Sequence, residues 1–220
     1  MVTLDPELQA LKANLLEMFE LTKEQLEQCL EAIETADEKA TKKVIKREKR
    51  INSLDINIDR DCENILALHS PVATDLRFVL ATLKISSSLE RIGDNSKSLA
   101  KYIRSNIKKD NLEILDQFNV KRMLQVTISM MEEMGTAIAD EKVEIAKQIA
   151  EMDDEINEST KKAFKISRRL IKEDAKTAGL ILKTYTIIRR IERIGDYIKN
   201  IGEEVVFHLE ARITKHGMGR

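Results

Sequence analysis

Glu90 and Asp94 stand four residues apart in "SLERIGDNSKSLAKYI" (88–103), and Glu192 and Asp196 repeat the spacing in "RIERIGDYIKNIGEEV" (190–205). On a helix such a pair is one turn apart, about 5–6 Å, where like charges are mildly destabilising unless something neutralises them. A multivalent cation is the obvious neutraliser. A third pair, Asp55 and Asp59 in "LDINIDRDC", has the same spacing, and four carboxylates would converge on one surface site if its helix were the antiparallel neighbour of the helix carrying Glu90. Ligation by oxygen alone suits Mg²⁺, Mn²⁺ or ferric iron, whereas zinc more often takes His and Cys. His69, His208 and His216 all lie outside these strings. The plain alternative is that acidic pairs in a highly charged chain are solvated surface.

Duplication argues against that alternative. The string Glu-Arg-Ile-Gly-Asp occurs twice, 102 residues apart, each time with a glycine in the interior of a helical pattern. A mid-helix glycine costs about 1 kcal/mol against alanine. At 100° per residue, Glu90 and Asp94 fall on the side opposite Ile85, Ile92 and Leu99, and Glu192 and Asp196 sit likewise relative to Ile187, Ile194 and Ile201. Gly93 and Gly195 fall beside this apolar seam, where a missing side chain permits close approach of another helix.

The elements that must position these residues are helices. The 220 residues contain only seven Gly and two Pro, 4% aromatics and 34% charged residues, a composition that disfavours turn-rich sheets. Asp5-Pro6 reads as N-cap plus first-turn proline of a helix to about residue 33, with Leu8, Leu11, Leu15, Met18, Leu26, Leu30 and Ile33 at helical spacing. Val44, Ile51, Ile58 and Ile65, with Leu54 and Leu68 alongside, define a second helix, and Ser70-Pro71 is expected to open a third, through Phe78, Ile85, Ile92 and Leu99 to about Lys109. After "KKDNLEILD" the pattern returns: Val120 to Ile138, then Ile145, Ile149, Met152, Ile156 and Phe164, then Leu180 to Ile201. The expected fold is all-α, a tandem repeat of two three-helix bundles spanning residues 1–109 and 110–220.

Charge and patterning narrow the function classes. The net charge is −1, from 37 basic and 38 acidic residues, without the basic excess of a nucleic-acid binder. "KKVIKREKR" (42–50), the densest basic run, could touch phosphates or an anionic membrane surface, but a charge run on a long helix is more often a solvated face. No apolar run approaches a membrane span and the N-terminus lacks a signal peptide's pattern, so a cytosolic protein is expected, peripheral to a membrane at most. Cys29 and Cys62 form no metal or redox motif and are expected to be free buried thiols.

Together "PVATDLRFVLATLKISSSLERIGDN" and "RRIERIGDYIKNIGEEV" closely resemble the bacterial PhoU family of phosphate-transport regulators, over essentially the whole chain. The resemblance implies a cytosolic, homodimeric protein acting at the ATPase subunit of the phosphate transporter and at a membrane sensor histidine kinase, repressing phosphate-starvation signalling. It also implies multinuclear iron or zinc clusters on Glu/Asp-x-x-x-Asp motifs of the second and third helices. Carried over by position, the ligands are Asp55, Asp59, Glu90 and Asp94 in the first bundle, and Glu192 and Asp196 in the second. Aligning the fifth helix at an offset of 98 adds Asp153 opposite Asp55 and Asn157 opposite Asp59. Asn157 departs from the family's carboxylate and predicts weaker binding in the second bundle. Asn95 and Tyr197 stand where relatives often carry histidine, which weakens the case for zinc. Arg77 of "TDLR" aligns with Gly179, so a contact through Arg77 would belong to one bundle only.

Three functions are compatible with these residues. A non-catalytic regulatory adaptor fits the motifs and the lack of a phosphate-cradling Gly-rich loop, a Gly-x-Ser-x-Gly elbow or a kinase signature. A carboxylate-bridged dimetal enzyme would need inward-facing Glu-x-x-His motifs, which the chain lacks. A purely structural scaffold explains the heptads but not the duplicated string.

Overall fold

A computed structural model of the chain describes residues 4–35, 38–106 and 112–211. The described residues form α1 (Leu4–Thr35), α2 (Glu38–His69), α3 (Ala73–Asn106), a short α4 (Leu112–Gln117), α5 (Val120–Asp140), α6 (Val143–Glu173) and α7 (Ala178–Glu210), with a 3-10 turn at Ala175–Thr177 and no strand. The apolar stripes close the core as the spacing requires: Leu11, Leu15, Met18, Val44, Ile51, Ile58, Ile85, Ile92, Leu99, Ile187, Ile194 and Ile201 are all buried.

Two stripe residues do not follow. Leu68 is 75% exposed in the last turn of α2, and Phe164 is 60% exposed because it lies about 100° around α6 from the buried Ala163. Ser70-Pro71 does not open α3 either. Ser70 adopts a left-handed backbone, φ 46°, that ends α2, and Pro71 sits in the link before Ala73. Part of the connection read as "KKDNLEILD" is helical, being α4, while its residues 108–111 lie outside the described ones.

Helices α1–α3 make one bundle and α5–α7 the other, but the two share a single core. Helix α3 packs along α7, and α1 along α5, leaving α2 and α6 on the flanks. Polar contacts tie the joint between bundles. Tyr102 Oη lies 2.6 Å from Thr184 Oγ1 in a buried setting, and Lys84 Nζ meets the buried Glu204 Oε2 at 2.9 Å. Arg77 Nε donates to the His208 carbonyl in the last turn of α7 at 3.1 Å, so the guanidinium holds the two bundles together at one end. The equivalent position at the start of α7 is Gly179, which has no side chain to make such a contact. Because Thr184 Oγ1 donates to Leu180 O, the Tyr102 hydroxyl serves as donor between them. Tyr102→Phe is therefore expected to cost about 1 kcal/mol in urea unfolding.

In the basic run 42–50, Arg47 pairs with Glu24, and Arg50 donates to Glu17 at 2.7–2.9 Å. Cys29 and Cys62 are free and buried; burial pushes the Cys62 thiol up to about 12 and raises Cys29 as well. Among the described residues no helix is long and apolar enough to cross a membrane.

Candidate functional site

Gly93 of α3 and Gly195 of α7 face the flanking helices α2 and α6, and each is covered by a buried carboxylate. A Cβ on Gly93 would stand 3.4 Å from Glu48 Oε2, Gln25 Oε1 and Ile51 Cγ2. One on Gly195 would stand 2.7 Å from Asp153 Oδ1 and 3.2 Å from Ile156 Cδ1. Glu48 is 2% exposed and Asp153 1%. Each keeps one oxygen, Glu48 Oε2 and Asp153 Oδ1, with no hydrogen-bond partner. Unpaired buried carboxylate oxygens are costly to leave unsatisfied.

The surroundings repeat as well. Asn157 Nδ2 donates to Asp153 Oδ2 at 3.0 Å, and Asn52, with its amide oriented to satisfy both groups, donates to Glu48 Oε1 at 3.2 Å. Lys97 lies 3.4 Å from Glu48, and its repeat Lys199 lies 3.7 Å from Asp153. Glu48-x-x-x-Asn52 is thus the counterpart of Asp153-x-x-x-Asn157, an offset of 105. The offset of 98 that pairs Asp153 with Asp55 and Asn157 with Asp59 is one heptad wrong. Its cause is turn length: Gly93 follows Glu48 by 45 residues but Gly195 follows Asp153 by only 42, so the second hairpin is shorter. In the true register Thr160 stands for Asp55, and the exposed Phe164 for Asp59.

In the α2/α3 groove the acids form a line rather than a point. Asp55 accepts from Ser86 Oγ at 2.7 Å. With Asp55 opposite Ser86, antiparallel packing carries Asp59 away from Asp94 by about three turns along the groove, on the order of 18 Å. Among the described residues no three of His, Cys, Asp and Glu stand close enough to share one ion. The neighbouring charges are nonetheless strongly felt. Burial, then contact with the Asp94 carboxyl, pushes Glu48 above the usual carboxylate range, against the pull of Lys97. Burial, then Asp94, raises Glu90, to which Asp55 also contributes, and burial followed by Asp55 and Glu63 raises Asp59.

The α6/α7 groove has fewer acids. Burial raises Asp153 despite Lys199, with Asp196 adding to the rise, and burial also raises Glu192, whose Oε1 accepts from Arg189 Nη1 at 2.6 Å. Asp196 is exposed. Glu48 is the member that sequence reading missed. Its signal was the second duplicated motif, Glu/Asp-x-x-x-Asn, hidden among many acidic residues.

These shifts have a consequence for stability. A carboxyl raised in the native state binds its proton more tightly there than in the unfolded chain, so acidification from pH 7 towards the ordinary range near pH 4 favours folding. His208, lowered chiefly by burial, opposes this below its ordinary value near 6.5. The difference between wild type and Glu48→Gln/Asp153→Asn removes the histidine from the comparison. In metal-free buffer, the gain in urea midpoint from pH 7.5 to 5.5 is expected to be smaller in the variant. An equal gain would show that the two acids do not titrate as described.

The donor set suits a hard cation: two grooves of carboxylates, each with an amide and a buried oxygen lacking a partner.

Comparison with known proteins places the chain among relatives. The PhoU domain family model matches residues 15–103 and 120–205. The chain is 32% identical to phosphate-specific transport system accessory protein PhoU homolog 1 of Thermotoga maritima, covering 94% of this chain and 88% of that protein. It is 26% identical to the PhoU accessory protein of Escherichia coli, covering 96% and 86%. The crystal structure of PhoU from Pseudomonas aeruginosa superposes with a TM-score of 0.87 at 27% identity, covering 96% of this chain and all (100%) of that one. The phosphate transport system regulatory protein PhoU from Streptococcus pneumoniae gives 0.79 at 28% identity, with coverage of 96% and 99%.

Proposed function

The chain belongs to the PhoU family, and we propose that it is a non-catalytic regulator of phosphate uptake whose two carboxylate grooves hold metal and present it to partner proteins. The relatives are accessory proteins of a phosphate-specific transport system, which supports a role at such a transporter. The finer reading names its partners as the transporter's ATPase subunit and a membrane sensor histidine kinase, met from the cytoplasmic side by a homodimer.

One observation carries the metal reading: in both grooves a buried carboxylate is pressed against a helix glycine with an oxygen that nothing satisfies. Glu48, Glu90, Asp94, Asp55 and Asp59 would hold cations in the first groove, and Asp153, Asn157, Glu192 and Asp196 in the second. The resemblance implies iron or zinc, and Mg²⁺ or Mn²⁺ also fits oxygen donors. Bound metal would neutralise these carboxylates and offer a Lewis-acidic contact to a partner's carboxylate or carbonyl. Competing cations, Lys97 and Lys199, already touch the buried acids and would have to swing aside.

The regulatory reading is tested in a strain lacking this protein, with a phosphate-starvation reporter measured at high and low phosphate. The expected result is a reporter that stays on at high phosphate. A reporter that still switches off would sink the proposal.

A further inference from the structure

Between the two bundles, where α3 lies along α7, a polar cavity of about 280 Å³ is lined by five cationic side chains and a single carboxylate, Asp94. Arg91, Lys97 and Lys101 come from α3, and Arg190 and Arg193 from α7. Arg91 and Arg193 are repeat mates at the offset of 102. For a chain of net charge −1, such a concentration of one sign needs a reason.

Only part of this charge is spent within the protein. Arg91 lies 3.5 Å from Glu90, and Lys97 reaches Asp94 and Glu48 at 3.7 and 3.4 Å. Arg190 makes a single long contact, 3.4 Å, to Asn95 Oδ1. Among the described residues, Lys101, Arg190 and Arg193 form no ion pair. Three unpaired cations converging from two helices repel one another, and guanidinium groups are suited to planar, two-pronged recognition of oxyanions. Ser98 and the Tyr197 side chain add polar groups to the wall.

We propose that this cleft binds a phosphate group, free or carried on a larger anion, held by Arg190, Arg193 and Lys101 across the joint between the bundles. Because its ligands come from α3 and α7, the bound anion would fasten the two bundles to each other beside Asp94, giving phosphate supply a route to the first metal groove. The cation cleft stands on its own geometry; the choice of phosphate among oxyanions rests on the regulatory reading above.

The test is isothermal titration calorimetry on the full chain, freed of metal by chelation, at about 0.15 M salt so that diffuse charge effects are screened. Inorganic phosphate, pyrophosphate and ATP are titrated separately, with sulfate as a control. Saturable binding is expected, weakened about tenfold or more by Arg193→Gln and by Arg190→Gln and unchanged by Lys49→Gln on the exposed face of α2. Circular dichroism checks that each variant folds. Binding of inorganic phosphate identifies the free ion as ligand; binding of pyrophosphate or ATP alone identifies a phosphate carried on a larger molecule, and either supports the site. Three results would overturn it: no saturable binding of any probe up to about 10 mM, affinity unaltered in both arginine variants, or an equal loss in Lys49→Gln. A failed titration beside a starvation reporter that depends on the protein would reject this cleft and leave the regulatory role standing.

Discussion

Gly195→Ala is expected to destabilise the protein by about 2 kcal/mol, whereas Gly93→Ala leaves stability unchanged or raises it by up to about 1 kcal/mol. The two glycines sit in the same five-residue string, and the intrinsic helix preference for alanine is the same at both. Their neighbours differ. At Gly195 the new methyl would meet Asp153 Oδ1 at 2.7 Å, and that short side chain, anchored by Asn157 and 1% exposed, has no room to retreat. At Gly93 the longer Glu48 leaves every contact at 3.4 Å, ordinary van der Waals distance. Urea unfolding of both variants checks the pair. Equal losses would mean that the glycines serve something other than the approach of a buried carboxylate.

A hard divalent cation such as Mn²⁺ is expected to stabilise the wild type and to stabilise the Glu48→Gln/Asp94→Asn variant, which keeps only the second groove, much less. At 100 times its dissociation constant a ligand adds about 2.7 kcal/mol to the unfolding free energy. Without metal the order reverses: the variant should be the more stable, because it no longer holds two carboxyls against each other in a buried setting. This crossing of signs separates a cation site from a structural ion pair, whose loss would lower stability under both conditions. Denaturation with and without Mn²⁺, in both proteins, reads it. The first groove should respond more than the second, which has Thr160 and Phe164 where the first has Asp55 and Asp59.

Much of this is legible in the amino-acid sequence. The heptad stripes through Ile85, Ile92 and Leu99 marked the buried face of α3, and the repeated Glu-Arg-Ile-Gly-Asp string marked a duplicated bundle. Periodicity along one helix reports which face is buried, but not which residue of a neighbouring helix stands opposite. That register is set by the length of the intervening turn, and the second hairpin is three residues shorter between its acid and its glycine. Hence Glu48 passed unnoticed, and Asp153 was set against Asp55. The cleft between α3 and α7 was hidden for a related reason. Arg91 and Arg193 belong to different repeats, and nothing in either repeat's own pattern states that the two third helices lie side by side.

Ser70 teaches the same lesson at a smaller scale. A serine before a proline is a sound helix-start signal, yet here the residue's left-handed backbone ends α2. Both roles place a polar residue at a helix boundary, and only the tertiary path of the chain distinguishes them.

The most direct test of metal-loaded grooves is elemental analysis by mass spectrometry of protein purified without chelator, comparing the wild type with Glu48→Gln/Glu90→Gln/Asp94→Asn. Bound iron, manganese or another hard cation is expected in the wild type, with most of it lost in the variant and the remainder held by the second groove. A metal-free wild type, or a variant that carries the same metal content, would contradict the assignment.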